Sequence, residues 1–445
     1  MKQLFIFLLF PKILHSFSLP NPKQHKIDQR IFKVLKPATL NHVMVPIVGM
    51  VDTFWVSKKG SINDLAAVGA ADQIFFVFFS FLSFLPILLT PKISELHVQR
   101  DKKELSNIIN ISLFLSGLLS SVTFLLFFKT QFIVNYFVDP SSLFYVKTIS
   151  FLKYRSIGIP FCLLNNVIFS IMRGMFDFKS AIKINGISQV INLILDPFFI
   201  DKYGVNGAAY ATVFSEWFCT LGYSIMLYKK RIIQPVFYNI FKTIGSFLRL
   251  GATIQVRFIF LQFLHISITK QIMSFDSYGH AFASHVIIHK FMNIANIVFK
   301  GLSSTSSTLI PREFLYDNDI ETRKRIFRWM NVVGIVQLIC ILNLSKMIQY
   351  MTNTPEVIQM IKSLLLITGI YQYLDGNHSV LEGLLQGYQK FTLPSIVSFV
   401  MYIPMFVVVK YTKSLYDVWL YTVGFMIIKN GIYYKIMKQS KVKAN

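Results

Sequence analysis

Four carboxylates stand where carboxylates are costly. Asp52, Asp196, Asp375 and Glu382 each interrupt a stretch dominated by apolar side chains. An ionisable group at the centre of a bilayer costs at least about 2.5–3.5 kcal/mol, so one that persists there faces a bundle interior and marks a site. The chemistry open to such groups is cation chemistry: holding a proton, or ligating a metal cation through oxygen. Asn192-Leu-Ile-Leu-Asp196-Pro197 adds an amide to this set. A spacing of four puts Asn192 and Asp196 on one helical face, one turn apart, while Pro197 loosens the backbone and frees a carbonyl as a further oxygen donor. Asp52 follows Pro37 and Pro46 in the same segment, each of which removes a backbone hydrogen bond and permits a bend. Two alternatives stand beside these readings: a solvated helix end for Asp52, and a helix stop at Asp196-Pro197. If Asp52 and Asp196 lie together in a low-dielectric cavity, like charges and desolvation favour a proton bound by the pair.

Groups of this kind need membrane-spanning helices to position them, and the composition demands such helices. The chain has 445 residues, 53% hydrophobic and 15% charged, where soluble domains carry about 25% charge. Its formal charge of +24, from 45 Lys+Arg against 21 Asp+Glu, would suggest nucleic acid only in a chain far less apolar. Twelve spans are expected, at 33–56, 68–90, 107–128, 145–172, 181–199, 207–228, 246–269, 282–310, 328–348, 357–384, 391–410 and 415–436, since a bilayer takes about 20 apolar residues per helix.

The basic residues support that count. Connections after even-numbered spans hold Lys92, Arg100, Lys102, Lys103, Arg173, Lys179, Lys229, Lys230, Arg231, Arg312, Arg323, Lys324 and Arg325, and Lys435, Lys438, Lys441 and Lys443 follow the last span; the odd connections hold far fewer. Positive residues accumulate on the untranslocated side, so both termini are expected in the cytosol or its organellar equivalent. Ile171–Phe178 lines up with Leu384–Phe391 at an offset of about 213, and Pro91-Lys92 lines up with Pro311-Arg312. Six spans per half is even, so the halves share one orientation, related by an axis along the membrane normal. The expected organisation is an N-terminal extension at 1–30, an N-lobe at 31–228, a linker at 229–245, a C-lobe at 246–438 and a basic tail at 439–445. Residues 1–20, with Lys2, the apolar run Leu4–Phe10 and Ser16-Phe17-Ser18, read as an ordinary extension or as a cleaved leader. Cys162, Cys219 and Cys340 lack metal-ligand or disulfide spacing and read as small core hydrophobes.

Gly49-Met-Val-Asp52-Thr53, Leu65-Ala-Ala-Val-Gly69, Arg173-Gly-Met-Phe-Asp177, Asn192-x-x-x-Asp196-Pro197 and Gly204-Val-Asn-Gly-Ala-Ala-Tyr-Ala-Thr212 occur in this order. Together they resemble the multidrug and toxic compound extrusion (MATE) family of transporters over residues 31–438. The resemblance implies an all-α polytopic fold of twelve helices in two pseudo-symmetric lobes, with a central cavity and alternating access driven by a proton or sodium gradient. It also implies a cation site made by Asp52, Asn192 and Asp196 with Thr212 nearby, and a bend of helix 1 at Pro37; neutralising the acid pair would remove the reason for that helix to stay straight. Span 7 lacks the carboxylate of the sodium-coupled branch, which points to the damage-inducible (DinF-like) branch. Span 10 points both ways, through Asp375 and Glu382. The internal repeat places His265 opposite Asp52, and Glu216 stands where the family often has Gln.

Other constellations carry less. His285 and His289 have the spacing of a helical metal pair without a third ligand, which favours packing. No P-loop, nucleophile elbow or nucleotide fingerprint is present, so neither ATP-driven transport nor an enzyme is supported. The expected function is export of an organic, cationic or amphipathic small molecule by antiport with H+ or Na+, by a monomer in the lipid bilayer, without a cofactor, resident metal or nucleic acid. A lipid or organic-anion transporter of the same superfamily is the alternative, with Lys153, Arg155 and Arg257 as candidate anion ligands placed near span ends; an intramembrane enzyme is a more distant one. The expected membrane is the plasma membrane or an organellar one such as a plastid's.

Overall fold

The computed structural model describes residues 26–439, apart from Ile233, Ser277, residues 345–347 and 349–351, and Asn353. The expected leader, and Lys346, Lys441 and Lys443, lie outside the described residues. The fifteen α-helices named below carry the chain through all twelve expected spans. α1 (Lys26–Lys59) runs unbroken through Pro37 and Pro46. α2 (Ile62–Ser80) and α3 (Phe84–Gln99) share one span bent by 46°. α4 (Lys102–Leu126) continues into the short α5 (Thr130–Phe137). α6 (Tyr145–Ser156) and α7 (Ile159–Gly174) form a second broken span, bent by 49°. α8 (Phe178–Tyr203) and α9 (Asn206–Lys229) complete the first half. The second half holds α10 (Ile240–Phe275), α11 (His280–Leu315), α12 (Asp319–Leu342), α13 (Pro355–Gly387), α14 (Thr392–Val409) and α15 (Leu415–Gln439).

Local sequence explains where these helices begin. Ser61 and Asp64 cap α2 reciprocally, Asp101 caps α4 through the Glu104 amide at 3.0 Å, and Asp177 caps α8 through the Ser180 amide at 3.3 Å; each satisfies an amide that a helix start leaves open. Pro160 in the first turn of α7 has no N–H for the preceding turn, so the helix breaks there. By length and apolarity, seven of the described segments can cross a membrane, or nine counting each bent pair as one. The three further passes, α8, α9 and α15, are long enough but more polar. They carry Asp196 and Asp201, Glu216, and Lys429, which are residues of the two interior clusters described below or their neighbours.

The helices group into two lobes. In the first, α8 packs on α1 and α9, and α7 packs on α3 and α4; in the second, α13 packs on α11, α12 and α15, and α10 packs on α14. The lobes meet on the side of the termini. There Ser94 Oγ donates to Thr308 O at 2.8 Å, Arg30 reaches both Glu313 oxygens at 2.8 and 3.0 Å, and Asp28 accepts from Arg325 at 3.2 Å and from Trp329 Nε1 at 3.1 Å. One apolar core joins Ile27, Ile31 and Val34 of α1 to Leu302, Leu309 and Trp329 across this junction. On the opposite side each lobe has its own core, one around Val56, Phe75 and Phe151 and one around Leu264, Ile361 and Trp419, with no residue shared among the described ones. The two lobes therefore diverge away from the termini.

The connection between the lobes is fastened to the first of them. Ser106 Oγ donates to Ile232 O at 3.2 Å, Asn110 Nδ2 donates to Gln234 O and Val236 O at 2.5 and 3.0 Å, and Asn107 Oδ1 accepts from the Tyr238 amide at 3.0 Å. The Tyr238 hydroxyl donates to Glu104, which pushes its pKa up to about 12.

Candidate functional site

α8 continues past Pro197 to Tyr203, so Asp196-Pro197 is not a helix stop, and Asp52 lies nearly two turns inside the end of α1. The packing of α1 on α8 brings the two acids together: the Asp52 and Asp196 carboxyl groups face each other within hydrogen-bonding reach. Asp196 is fully buried, and neither of its oxygens receives an N–H or a hydroxyl from the described residues. Two bare carboxylates in that position repel, whereas one proton between them makes the contact attractive. Asn192 is buried beside them and, in the amide orientation that satisfies both of its ends, donates to Asp52 Oδ1 at 3.3 Å and accepts from the Thr212 amide at 3.2 Å. The Thr212 hydroxyl donates to Ala208 O at 3.0 Å. The sequence-derived group Asp52, Asn192, Asp196 and Thr212 is thus one cluster.

A cavity of about 450 Å³ opens beyond it, lined by Val56 and Ile200 together with Lys59, Asp64, Lys147 and Asn206. Val56 is one turn from Asp52 and Ile200 one turn from Asp196, so the cavity lies one helical turn beyond the carboxyl pair, with Val56 and Ile200 between. Lys59 ties α1 to α8 above the pair, donating to Pro197 O at 3.1 Å and to Asp201 at 2.5 Å. Pro37 and Pro46 lie within a continuous helix rather than at a break.

The first lobe also holds an ion pair whose two members the sequence did not connect. Arg155, expected near a span end, is buried at the break between α6 and α7 and forms an ion pair with Glu216 of α9. Glu216 is therefore a paired carboxylate inside the lobe rather than a bare one. Asp72 of α2 faces the same group, with Arg155 and Asp52 as its charged neighbours.

Asp375 and Glu382 belong to a separate cluster in the second lobe. Asn296 Nδ2 donates to Asp375 at 2.6 Å. Glu382 pairs with Arg257 at 2.5 Å, accepts from Gln386 at 3.1 Å and has His378 at 4.0 Å. Arg257, like Arg155, is buried inside its lobe rather than near a span end. Lys429 of α15, also missed in the sequence, completes this cluster and donates to Tyr402 Oη at 3.2 Å. His265 lies apart from both clusters, 6.3 Å ring to ring from His289, which meets His285 edge-on and lies tilted against Trp419. No group of three or more His, Cys, Asp or Glu among the described residues is arranged to hold a metal ion.

A two-lobed, twelve-pass helical membrane protein with a buried polar cluster in each lobe is the class this geometry defines. Comparison with known proteins gives the family. The MatE family model matches residues 37–198 and 253–412, once in each half. The chain is 22% identical over 385 residues to "Multidrug resistance protein MdtK" of Pectobacterium atrosepticum, covering 82% of this chain and 83% of that one. It is 24% identical over 264 residues to "Protein DETOXIFICATION 45, chloroplastic" of Arabidopsis thaliana, covering 57% and 46%. Among solved structures, the Vibrio cholerae MATE transporter VcmN in the bent form superposes with a TM-score of 0.83 at 16% identity, covering 93% of this chain and 97% of that one. The protein belongs to the MatE (MATE) family: it is an integral membrane transporter of the multidrug-efflux type and not an enzyme.

Proposed function

We propose that the protein exports an organic small molecule, cationic or amphipathic, by exchange for protons taken up at Asp52 and Asp196, with Asn192 and Thr212 orienting the pair. The observation that carries this reading is the mutual contact of the two carboxyl groups, one of them fully buried with no donor on either oxygen. Such a pair binds one proton well and a second negative charge poorly. In this reading protons arrive through the cavity one turn beyond the pair, past Val56 and Ile200, on the side away from the termini. Loss of the proton restores repulsion between α1 and α8, and the two prolines of α1 give that helix the freedom to respond. The membrane is the plasma membrane or a plastid envelope; the name of the chloroplastic relative supports the second.

The test is efflux of a fluorescent organic cation such as ethidium from proteoliposomes under an imposed pH gradient. Gradient-driven efflux is expected in the wild type and absent in Asp52→Asn and Asp196→Asn. Efflux that persists in both variants, or that a sodium gradient alone drives, overturns the assignment.

A further inference from the structure

The floor of the cleft between the lobes is built in three successive helical turns. Where the lobes are closed, Ser94 of α3 bonds Thr308 of α11. One turn further from the termini stand Thr90 and Ser304, and there the Arg173 guanidinium bridges the two lobes: Nε and Nη2 donate to Thr90 Oγ1 at 3.2 and 2.6 Å, and Nη1 donates to Ser304 Oγ at 3.3 Å. His42 of α1 meets the same Ser304 hydroxyl through Nε2 at 3.0 Å. One more turn along α11 is Lys300, which is exposed although it lies in the interior of a span. Its neighbour Gly301 is pressed against Thr39 of α1, where a Cβ would collide, so Lys300 stands at the seam between α11 of one lobe and α1 of the other. The charged groups around His42 are Arg173 and Lys300, both positive.

Neither cation has an acid for a partner. No Asp or Glu is in ion-pair contact with Arg173 or Lys300 among the described residues, and Asp375, the acid that Lys300 influences, is bonded to Asn296 at 2.6 Å. The partners of Arg173 are hydroxyls, which satisfy N–H groups without offsetting charge, and each Nη keeps an N–H with no acceptor among the described residues. The corner after α7 does not need the guanidinium. The internal repeat sets Gln386 in the place of Arg173, and the two corners turn alike, Phe176 and Gln389 both being left-handed, with φ of 61° and 56°. An uncompensated guanidinium and ammonium at the base of a cleft with low-dielectric walls attract an anion. A planar fork flanked by a hydroxyl and an imidazole suits a carboxylate or a phosphate.

We propose that Arg173 and Lys300, with Ser304 and His42 beside them, form an oxoanion site at the floor of the interlobe cleft, which takes the carboxylate or phosphate group of an amphipathic molecule. The site narrows the export reading above, because a cargo held there carries an acid group. It rests on that reading only in calling the occupant a cargo. Binding at Arg173 and Lys300 is independent of proton uptake at Asp52 and Asp196, so the two fail separately.

The test is binding rather than transport, read as thermal unfolding of the purified full-length protein. Potassium benzoate and phenyl phosphate are compared with benzyltrimethylammonium chloride at equal ionic strength, and micelles doped with phosphatidylglycerol are compared with micelles doped with phosphatidylcholine. Both soluble anions are expected to raise the unfolding temperature of the wild type by several degrees, and the cation to leave it unchanged, since a ligand stabilises the state that binds it. Lys300→Gln and Arg173→Gln are expected to lose that gain. If Arg173→Gln does not fold, Lys300→Gln decides alone, its side chain being exposed. A gain from the soluble anions that the variants lose identifies a cargo, and a gain from phosphatidylglycerol that they lose identifies a lipid headgroup; either upholds the oxoanion site. A wild type that gains from none of the anions, or gains that survive undiminished in Lys300→Gln, overturns it.

Discussion

Arg155 and Glu216 form a two-pronged ion pair, Nη1 to Oε2 at 2.9 Å and Nη2 to Oε1 at 2.7 Å, at the bend between α6 and α7. The guanidinium lies over the Phe75 ring, 4.0 Å from its centroid, and Gly158 leaves the space the pair occupies, since a Cβ there would collide with both partners. A planar fork matched to a carboxylate fixes direction as well as charge. The pair thus joins the broken span to α9 next to the carboxyl pair of α1 and α8.

Removing one partner leaves the other charge buried, at a cost of about 3–5 kcal/mol. Glu216→Gln is therefore expected to lower the thermal unfolding temperature strongly, and Arg155→Met/Glu216→Leu to regain most of the loss. If the double variant is as unstable as the single one, the pair is not the source of the effect.

The terminus-side junction rests on Arg30 with Glu313, and on Asp28 with Arg325 and Trp329. Arg30→Ala with Asp28→Asn should shift the protein towards a state open on that side. Ser94 is buried at this junction, so in a background lacking native cysteines, Ser94→Cys reports the opening through alkylation from the terminus side. Each 1.4 kcal/mol of lost closure is expected to speed labelling about tenfold; unchanged labelling would show that the apolar core alone holds the lobes.

Asn192 donates to Asp52, and a hydrogen bond to a charged group is worth about 1.5–3 kcal/mol. Because this one favours the ionised carboxylate, Asn192→Leu makes the proton leave less readily. The pH midpoint of gradient-driven efflux is expected to rise by about 1–2 units, at 1.36 kcal/mol per unit. A midpoint that stays put or falls would remove Asn192 from the coupling group.

Gly207 begins α9 against the turn of α8, where a Cβ would strike the carbonyl of Phe199. The atom in the way is backbone and cannot swing aside. Gly207→Ala should cost about 1–3 kcal/mol of overpacking, seen as a lower unfolding temperature, whereas Gly424→Ala, with open space around it, should be near neutral.

Much of this was legible in the sequence because an acid in an apolar run is conspicuous: Asp52 and Asp196 stood out by themselves, and the spacing of four added Asn192. Thr212 required the family resemblance, since a threonine in a helix carries no signal of its own. Lys429 was hidden by its neighbours: six residues before Lys435 and nine before Lys438, it reads as one more topological charge, and only the packing of α15 on α13 turns it inward. Arg155 was obscured by a helix break. Treating residues 145–172 as one straight span put it near an end, whereas the bend before Ile159 folds it into the lobe. Glu216 was visible, but its partner, 61 residues away, was not.

Asn107, Asn110, Ser106 and Glu104 clasp the connecting segment to α4 as far as Tyr238. Asn239, the next residue, has a φ of 51°, and α10 starts immediately after it. The interlobe connection is thus an arm of the first lobe rather than a slack tether. A swing of one lobe against the other therefore draws on Asn239 and on the packing of Phe247 and Ile254 of α10 against Phe84 and Leu85 of α3, rather than on slack in the connection.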